Sequence, residues 1–308
     1  MHSLLPEHKE IRVIQQLGRI TAKALEPLDQ LLLILPAKGT AAALKQLPQG
    51  AKLQAAMRRR TAGSTPALVA RLANKRQTLV VGGTIAANAS SFEQLSLARK
   101  LVSAATAEKA GCLGVAIVGF GDDAQAVLCR NAVAAALAAA FSLPEFKSKG
   151  SPPRIRSVRV VGLADKVDLD RVRAEANGNN IARWLTALPP NKLDAKGYAD
   201  ALRVLAKDNG WAFERMATKE LEKLGAGAFL AVAQGNDDDS ASIVRMRYRP
   251  GAKDAKPDLG LVGKGIIFDT GGTNLKPFQS MLDMHVDMQG SAVALGTFLA
   301  ISQLQLPI

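Results

Sequence analysis

The sequence predicts an α/β protein whose first domain is built on a mostly parallel sheet. Three observations carry that expectation. Short apolar runs of strand length alternate with longer segments of helical periodicity. Leu31 to Leu35 carries no polar residue and reads as a buried strand. Hydrophobic residues make up 48% of the 308-residue chain and aromatic ones only 4%, so the core must be built mainly of Ala, Leu and Val.

Leu31-Leu32-Leu33-Ile34-Leu35, ended by Pro36, is the first such strand, and Thr40 to Leu47 follows as a short helix. Residues 51–77 are basic and contain Arg58-Arg59-Arg60. Thr78-Leu79-Val80-Val81 is a second strand, closed by the turn residues Gly82-Gly83. From Ser91 to Ala110, apolar Leu95, Ala98, Leu101 and Val102 recur at helical spacing, with Ser90 or Ser91 as the cap. Leu113 to Val118 is a strand, Ala124 to Phe141 a helix and Ser157 to Leu163 a strand. This alternation is that of crossover units on a parallel sheet.

Lys147 to Pro153 reads as surface loop, and Asp168 to Leu188 as a helix bridging two domains, stopped by Pro189-Pro190. Residues 194–207 form a helix, Trp211 to Met216 a strand, Lys219 to Leu224 a helix and Ser242 to Tyr248 a strand. Asp258 to Val262 reads as a further strand, and Ser291 to Leu304 as a final helix. The length suits two domains, placed at residues 1–166 and 167–308.

Two cysteines, Cys112 and Cys129, lie in apolar surroundings. They do not make a disulfide framework and suit a reducing compartment. The N-terminus lacks the apolar stretch of a signal peptide, and the run Ala132 to Phe141 is too short to span a bilayer. The expected localisation is cytoplasmic, where the sequon Asn88-Ala89-Ser90 has no meaning. The net charge of +13 falls wholly within residues 1–166, which hold 23 Lys and Arg against 10 Asp and Glu. Such asymmetry bears on partners rather than on fold. It admits nucleic acid, although a solvated helix face is the favoured reading, and almost no aromatic residue is interleaved for stacking on single strands.

The chemistry gathers in residues 262–290. Lys264 stands at the end of an apolar run, where desolvation would lower an amine pKa. Asp269 closes a second short apolar run and precedes Gly271-Gly272, which allow a tight turn. Lys276 follows in a loop, and Asp287 at the start of a helix. Two lysines among two carboxylates make ion pairs as a minimum. In an apolar, glycine-rich setting a buried charge needs a partner or a metal, and carboxylate oxygens suit Mg²⁺, Mn²⁺ or Zn²⁺.

Val262 to Gly290 closely resembles the metal-binding signature of the leucyl aminopeptidase family, also called cytosol aminopeptidases. Asn180 to Asn191 resembles the entry to that family's catalytic domain, and Leu224 to Gly235 its middle. The resemblance implies an α/β metallopeptidase domain that is incomplete in this chain. It implies metal-dependent hydrolysis of N-terminal, leucine-like residues from peptides, through a water activated by two divalent ions (Zn or Mn, or Mg). Lys264 would be a neutral-amine ligand, Asp269 a bridging ligand and Asp287 a further ligand. Lys276 would stabilise the oxyanion, and Met284 would line the pocket for the substrate's first side chain. A homo-oligomer, a hexamer in relatives, and peptide substrates are the implied partners.

The family's later segment Asn-Thr-Asp-Ala-Glu-Gly-Arg, which supplies further carboxylates and an arginine, does not occur before Ile308. The resemblance therefore implies an incomplete ligand set, and leaves open that the chain alone is inactive. Some relatives also bind DNA, which gives the basic first domain an implied second role. The alternative function is a non-catalytic oligomeric or DNA-binding protein with a vestigial metal site.

Other signals are weaker. Gly119-Phe120-Gly121-Asp122-Asp123-Ala124 matches a weak G-x-G-x-x-A fingerprint, but with no acidic residue on a following strand at the expected place it reads as a strand–turn–helix capped by Asp122 or Asp123. His2 and His8 read as solvated, His285 as outside the ligand set, Trp184 and Trp211 as packing residues, and Asp237-Asp238-Asp239 as a solvated loop.

Overall fold

The computed structural model describes residues 4–7, 10–61, 63–108, 111–148, 155–236, 240–251 and 258–308. His2, His8 and the Asp237-Asp238-Asp239 loop lie outside these, as does most of the Lys147–Pro153 loop. The chain divides into two compact units, Lys9–Ala176 and Asn177–Ile308 together with Met1–His8. The change of unit falls at Ala176/Asn177, ten residues after the boundary read from the sequence.

In the first unit the elements are β1 (Arg12–Leu17), α1 (Ala22–Leu25), β2 (Gln30–Pro36), α2 (Thr40–Lys45), α3 (Gly50–Arg58), β3 (Leu68–Arg71), β4 (Leu79–Ile85), α4 (Ser91–Ala105), β5 (Cys112–Ile117), α5 (Asp122–Ala140) and β6 (Ser157–Leu163). The strands make one sheet in the order β1-β6-β5-β2-β4-β3. Every neighbouring pair is parallel except β3 with β4. The architecture is thus the mostly parallel α/β sheet that the alternating apolar runs predict.

Helices cover both faces, which is why β2 is apolar along its length. Leu32 and Ile34 pack with Leu101, Val102, Ala132 and Val133 of α4 and α5. Leu31, Leu33 and Leu35 point to the other face and meet Ala43, Leu44 and Leu53 of α2 and α3. At the start of α4, Ser90 accepts from the Glu93 amide while the Glu93 carboxylate accepts from the Ser90 amide. This capping box satisfies two otherwise orphaned donors.

Several local readings are corrected. Gly82-Gly83 does not close a strand: β4 runs through it to Ile85. The glycines serve close packing instead, since a Cβ on Gly83 would sit 2.7 Å from Leu97 Cδ1 and one on Gly82 3.2 Å from Leu68. The helix at the G-x-G-x-x-A stretch begins at Asp122 with Gly121 as N-cap, and neither aspartate caps it. Residues 51–77, read only as basic, contain most of α3 and all of β3.

A long helix, α6 (Asp170–Thr186), runs from the first unit into the second. The second unit continues with α7 (Ala195–Asp208), β7 (Ala212–Ala217), α8 (Thr218–Lys223), α9 (Gly227–Ala233), β8 (Ser242–Arg247), α10 (Phe278–Met281), a 3₁₀ turn (Met284–Val286) and α11 (Gln289–Gln303). β7 and β8 form an antiparallel pair. The core joins Ile181 and Leu185 of α6, Leu202 and Ala206 of α7, and Ala292, Leu295 and Leu299 of α11. Trp211 fills it, its ring edge-on to Phe298 at 4.7 Å, so its packing role holds. α6 and α11 meet backbone to backbone, for a Cβ on Gly178 would lie 2.2 Å from the Gly296 carbonyl oxygen.

The expected strand Asp258–Val262 is absent: residues 258–266 are irregular. Val262 is 98% exposed, and Leu259 and Leu261 are also exposed. Among the described residues no strand lies beside this run, so its backbone has no ladder partner to hold it as sheet.

Candidate metal centre

Residues 263–291 form a path of backbone turns seated against the first turn of α11. The Ser291 amide donates to the Lys264 carbonyl at 2.8 Å. The approach is close enough that a Cβ on Gly263 would lie 2.5 Å from Ser291 Cα. The Ser291 hydroxyl donates to the Met288 carbonyl at 2.7 Å and shares a 3.1 Å hydrogen bond with Tyr198 of α7. Thus α7 and α11, both anchored in the core, fix the segment that carries Lys264.

Asp269 sits at the next bend. Its Oδ1 accepts from the Gly271 amide at 2.9 Å, and the Lys276 amide donates to the Thr270 carbonyl at 2.9 Å. Gly271 has φ of +89°, and a Cβ there would fall 2.4 Å from the Asn274 carbonyl oxygen. Only glycine fits this turn, and the turn brings Lys276 back over Asp269.

The four candidate side chains pair crosswise. Lys264 Nζ lies 2.8 Å from Asp287 Oδ1, and Lys276 Nζ lies 2.9 Å from Asp269 Oδ2. Lys276 Nζ also lies 3.1 Å from Met284 Sδ. The Lys276 hydrogen bond, the Gly271 amide and the charges of Lys276 and Lys264 hold the Asp269 carboxyl below the usual carboxylate range. The structure therefore brings Lys264, Asp269, Lys276, Met284 and Asp287 into one neighbourhood. His285 lies in the 3₁₀ turn between Met284 and Asp287, with no ion pair among the described residues. Lys264 is not at a strand end, and its side chain is 57% exposed rather than desolvated.

Asp287 Oδ2 is buried with no hydrogen-bond partner among the described residues. A buried carboxylate oxygen left unpaired is costly, and a cation at that point would relieve it. Carboxylate oxygens such as those of Asp287 and Asp269, and an unprotonated amine such as that of Lys264, are donor types that suit a divalent ion. No group of three or more His, Cys, Asp or Glu converges among the described residues, so a second ion would need further donors. The carboxylate Oδ2 and the crosswise pairing are what sequence reasoning missed, since no periodicity records which cation meets which acid.

This α/β fold is shared with solved leucine aminopeptidases. The fold matches that of the tomato leucine aminopeptidase K354E mutant with a TM-score of 0.73 at 17% identity, covering 97% of this chain and 61% of that one. It matches the bottromycin maturation enzyme BotP in complex with Mn with a TM-score of 0.71 at 25% identity, covering 91% and 57%. Residues 180–308 match the model of the cytosol aminopeptidase family, catalytic domain. Over that segment the chain is similar to the catalytic domain of the cytosol aminopeptidase family. A probable cytosol aminopeptidase of Stutzerimonas stutzeri (strain A1501) is 43% identical over 176 residues, 54% of this chain and 35% of the relative. The cytosol aminopeptidase of Pseudomonas aeruginosa (strain PAO1) is 39% identical over 226 residues, 68% of this chain and 45% of the relative. The chain thus spans less than half the length of these two curated relatives. Among the described residues no helix is long and apolar enough to cross a membrane.

Proposed function

We propose that this chain supplies the first part of the active centre of a metal-dependent aminopeptidase that removes N-terminal, leucine-like residues from peptides. The observation that carries the reading is the crosswise pairing of Lys264 with Asp287 and Lys276 with Asp269, beside the unpartnered Asp287 Oδ2. Asp269, Asp287 and Lys264 would hold the ion. Zn or Mn, or Mg, suits these donors, and a two-ion centre would take further oxygen ligands. A bound divalent ion supplies Lewis acidity, which polarises a carbonyl and makes water a stronger nucleophile at neutral pH.

The rest of the chemistry falls to the protein's own groups. Lys264 must shed a proton before its amine can donate a lone pair, which releases Asp287 from its ion pair. Lys276, released from Asp269, would hydrogen-bond the oxyanion that forms as water adds to the scissile carbonyl. The C–N bond would then break, the leaving nitrogen taking up the proton that the attacking water gives up. Met284, against Lys276, would line the pocket for the first side chain. Its flexible thioether suits an aliphatic group. The same reading takes peptides as substrates and includes a homo-oligomer, a hexamer in relatives. It also takes a cytoplasmic location, in keeping with the cytosol aminopeptidase name of the relatives. For DNA the basic first unit offers charge alone, and no further observation favours it.

The test is release of leucine from leucine amide with Mn²⁺ or Zn²⁺ added, by the wild-type chain and by Asp269→Ala. Metal-dependent hydrolysis lost in the variant is expected. Hydrolysis that persists undiminished in Asp269→Ala, or that needs no added metal, would overturn the reading, whereas ion binding without hydrolysis would mean an incomplete enzyme or the non-catalytic alternative.

A further inference from the structure

The sheet of the first unit is covered unevenly at one edge. Below β2, β4 and β5, leucines and valines fill the face that α2 and α3 cover. At the edge, β1 pairs with β6 with Ile14 opposite Arg159 and Gln16 opposite Val161, and the ladder shifts register between Gln16 and Leu17. Bulges of this kind re-aim side chains. Beyond Val161 the apolar face gives way to polar groups. A cavity of about 230 Å³ opens there, lined by Gln16, Thr21, Lys23, Ala24, Pro27 and Arg159.

Its charge is unbalanced. Arg159 is half-buried, and neither it nor Lys23 makes an ion pair with any described residue. Glu26 is the one acidic residue between Arg12 and Leu28, and it does not line the cavity. A partly desolvated guanidinium beside a second cation is unfavourable unless an anion joins them. Concave walls also concentrate the positive potential. Arginine offers a rigid fork of donors for oxyanions, and lysine a mobile point charge. The Gln16 amide adds neutral donors, and the Thr21 hydroxyl, which accepts from the Ala24 amide at 3.2 Å, keeps its own proton to donate.

We propose that this cavity, remote in sequence from the lysine–aspartate cluster, binds a phosphate group, free or on a small organic molecule. A carboxylate neutralises one cation, whereas a phosphate dianion matches both and accepts from the amide and hydroxyl as well. An apolar or cationic ligand would leave Arg159 unsatisfied.

The experiment is titration of the whole chain with inorganic phosphate and, in a second arm, glycerol phosphate, at constant ionic strength, followed by calorimetry. Saturable binding is expected, weakened about tenfold or more in Arg159→Gln, as for loss of a charged hydrogen-bond donor. Lys23→Gln is expected to weaken it in the same direction. Lys75→Gln, which removes one exposed charge elsewhere in the unit, is expected to leave it intact. Tighter binding of glycerol phosphate would identify a phosphorylated small molecule as the ligand, and equal binding the phosphate group itself. If Arg159→Gln fails to fold, Lys23→Gln decides. Binding that does not saturate, or that falls equally in Lys75→Gln, would overturn the proposal as mere attraction to a basic protein.

Discussion

Lys264 Nζ stands 2.8 Å from Asp287 Oδ1, while the second oxygen of that carboxylate is buried and unpartnered among the described residues. The ion pair is lopsided: the Asp287 side chain is 17% exposed and the Lys264 side chain 57%. An exposed cation does not repay the desolvation of a carboxylate, and an arrangement selected for stability alone would satisfy both oxygens. The leftover acceptor is what the proposed ion would satisfy, and a second ion pair, Lys276 with Asp269, is 2.9 Å apart.

Lys276 is assigned to the oxyanion rather than to the ion. Lys276→Met should leave Mn²⁺ affinity within a few-fold of wild type. It should also lower kcat by about 10²–10³, as for loss of one oxyanion donor. Steady-state kinetics beside a metal titration would separate the two effects, and a matched loss of both would remove the assignment.

Gly178 and Gly296 hold α6 and α11 in backbone contact, a Cβ on Gly178 falling 2.2 Å from a carbonyl oxygen. Gly178→Ala should destabilise the chain by about 1–3 kcal/mol, as overpacking does, although alanine favours helix by about 1 kcal/mol over glycine. A chemical denaturation midpoint equal to or above the wild-type value would show that the helices can separate without cost.

The Ser90–Glu93 capping box gives a pH-dependent case. Its hydrogen bonds with Ser90 hold the Glu93 carboxyl below its ordinary value of 4.5. A lowered carboxyl pKa stabilises the fold above the unfolded value, and this is lost as pH falls through the folded one. Ser90→Ala, which removes the cap, should lower stability near pH 7. The gap from wild type should narrow at pH 3. Urea denaturation at the two pH values checks it, and a gap that widens on acidification would contradict the cap.

Burial pushes the Cys129 thiol up to about 11, so little thiolate exists at pH 8. Iodoacetamide at that pH should leave Cys129 unmodified in the folded chain and alkylate it in guanidinium, as read by peptide mass spectrometry. Ready alkylation of the folded chain would mean that α5 opens.

Much of the architecture is legible in the sequence, and the gaps have physical causes. β2 and β5 announce themselves because each is buried on both faces, and β6 because of its run of valines. β1, Arg-Val-Ile-Gln-Gln-Leu, is an edge strand with exposed positions, so it carries no apolar run and escapes notice. β3 is four residues long inside a basic stretch. The run at 258–262 has strand composition, yet composition cannot supply the neighbouring strand that a ladder needs. For the candidate site, the residue types and their order were visible. The partnering of Lys264 with Asp287 rather than with nearer Asp269 depends on the Gly271 turn and on the seat of Gly263 against Ser291, both tertiary facts.

The central claim is that Asp269, Asp287 and Lys264 make one ion site. Its most direct test is a titration with Mn²⁺, following the free ion by electron paramagnetic resonance, on the wild-type chain, Asp269→Ala and Asp287→Ala, each checked for folding by circular dichroism. The expected result is saturable binding of at least one ion by the wild type, weakened at least about tenfold in each folded variant, as for loss of a charged ligand. Absence of binding by the wild type, or binding undiminished in both variants, would contradict the account.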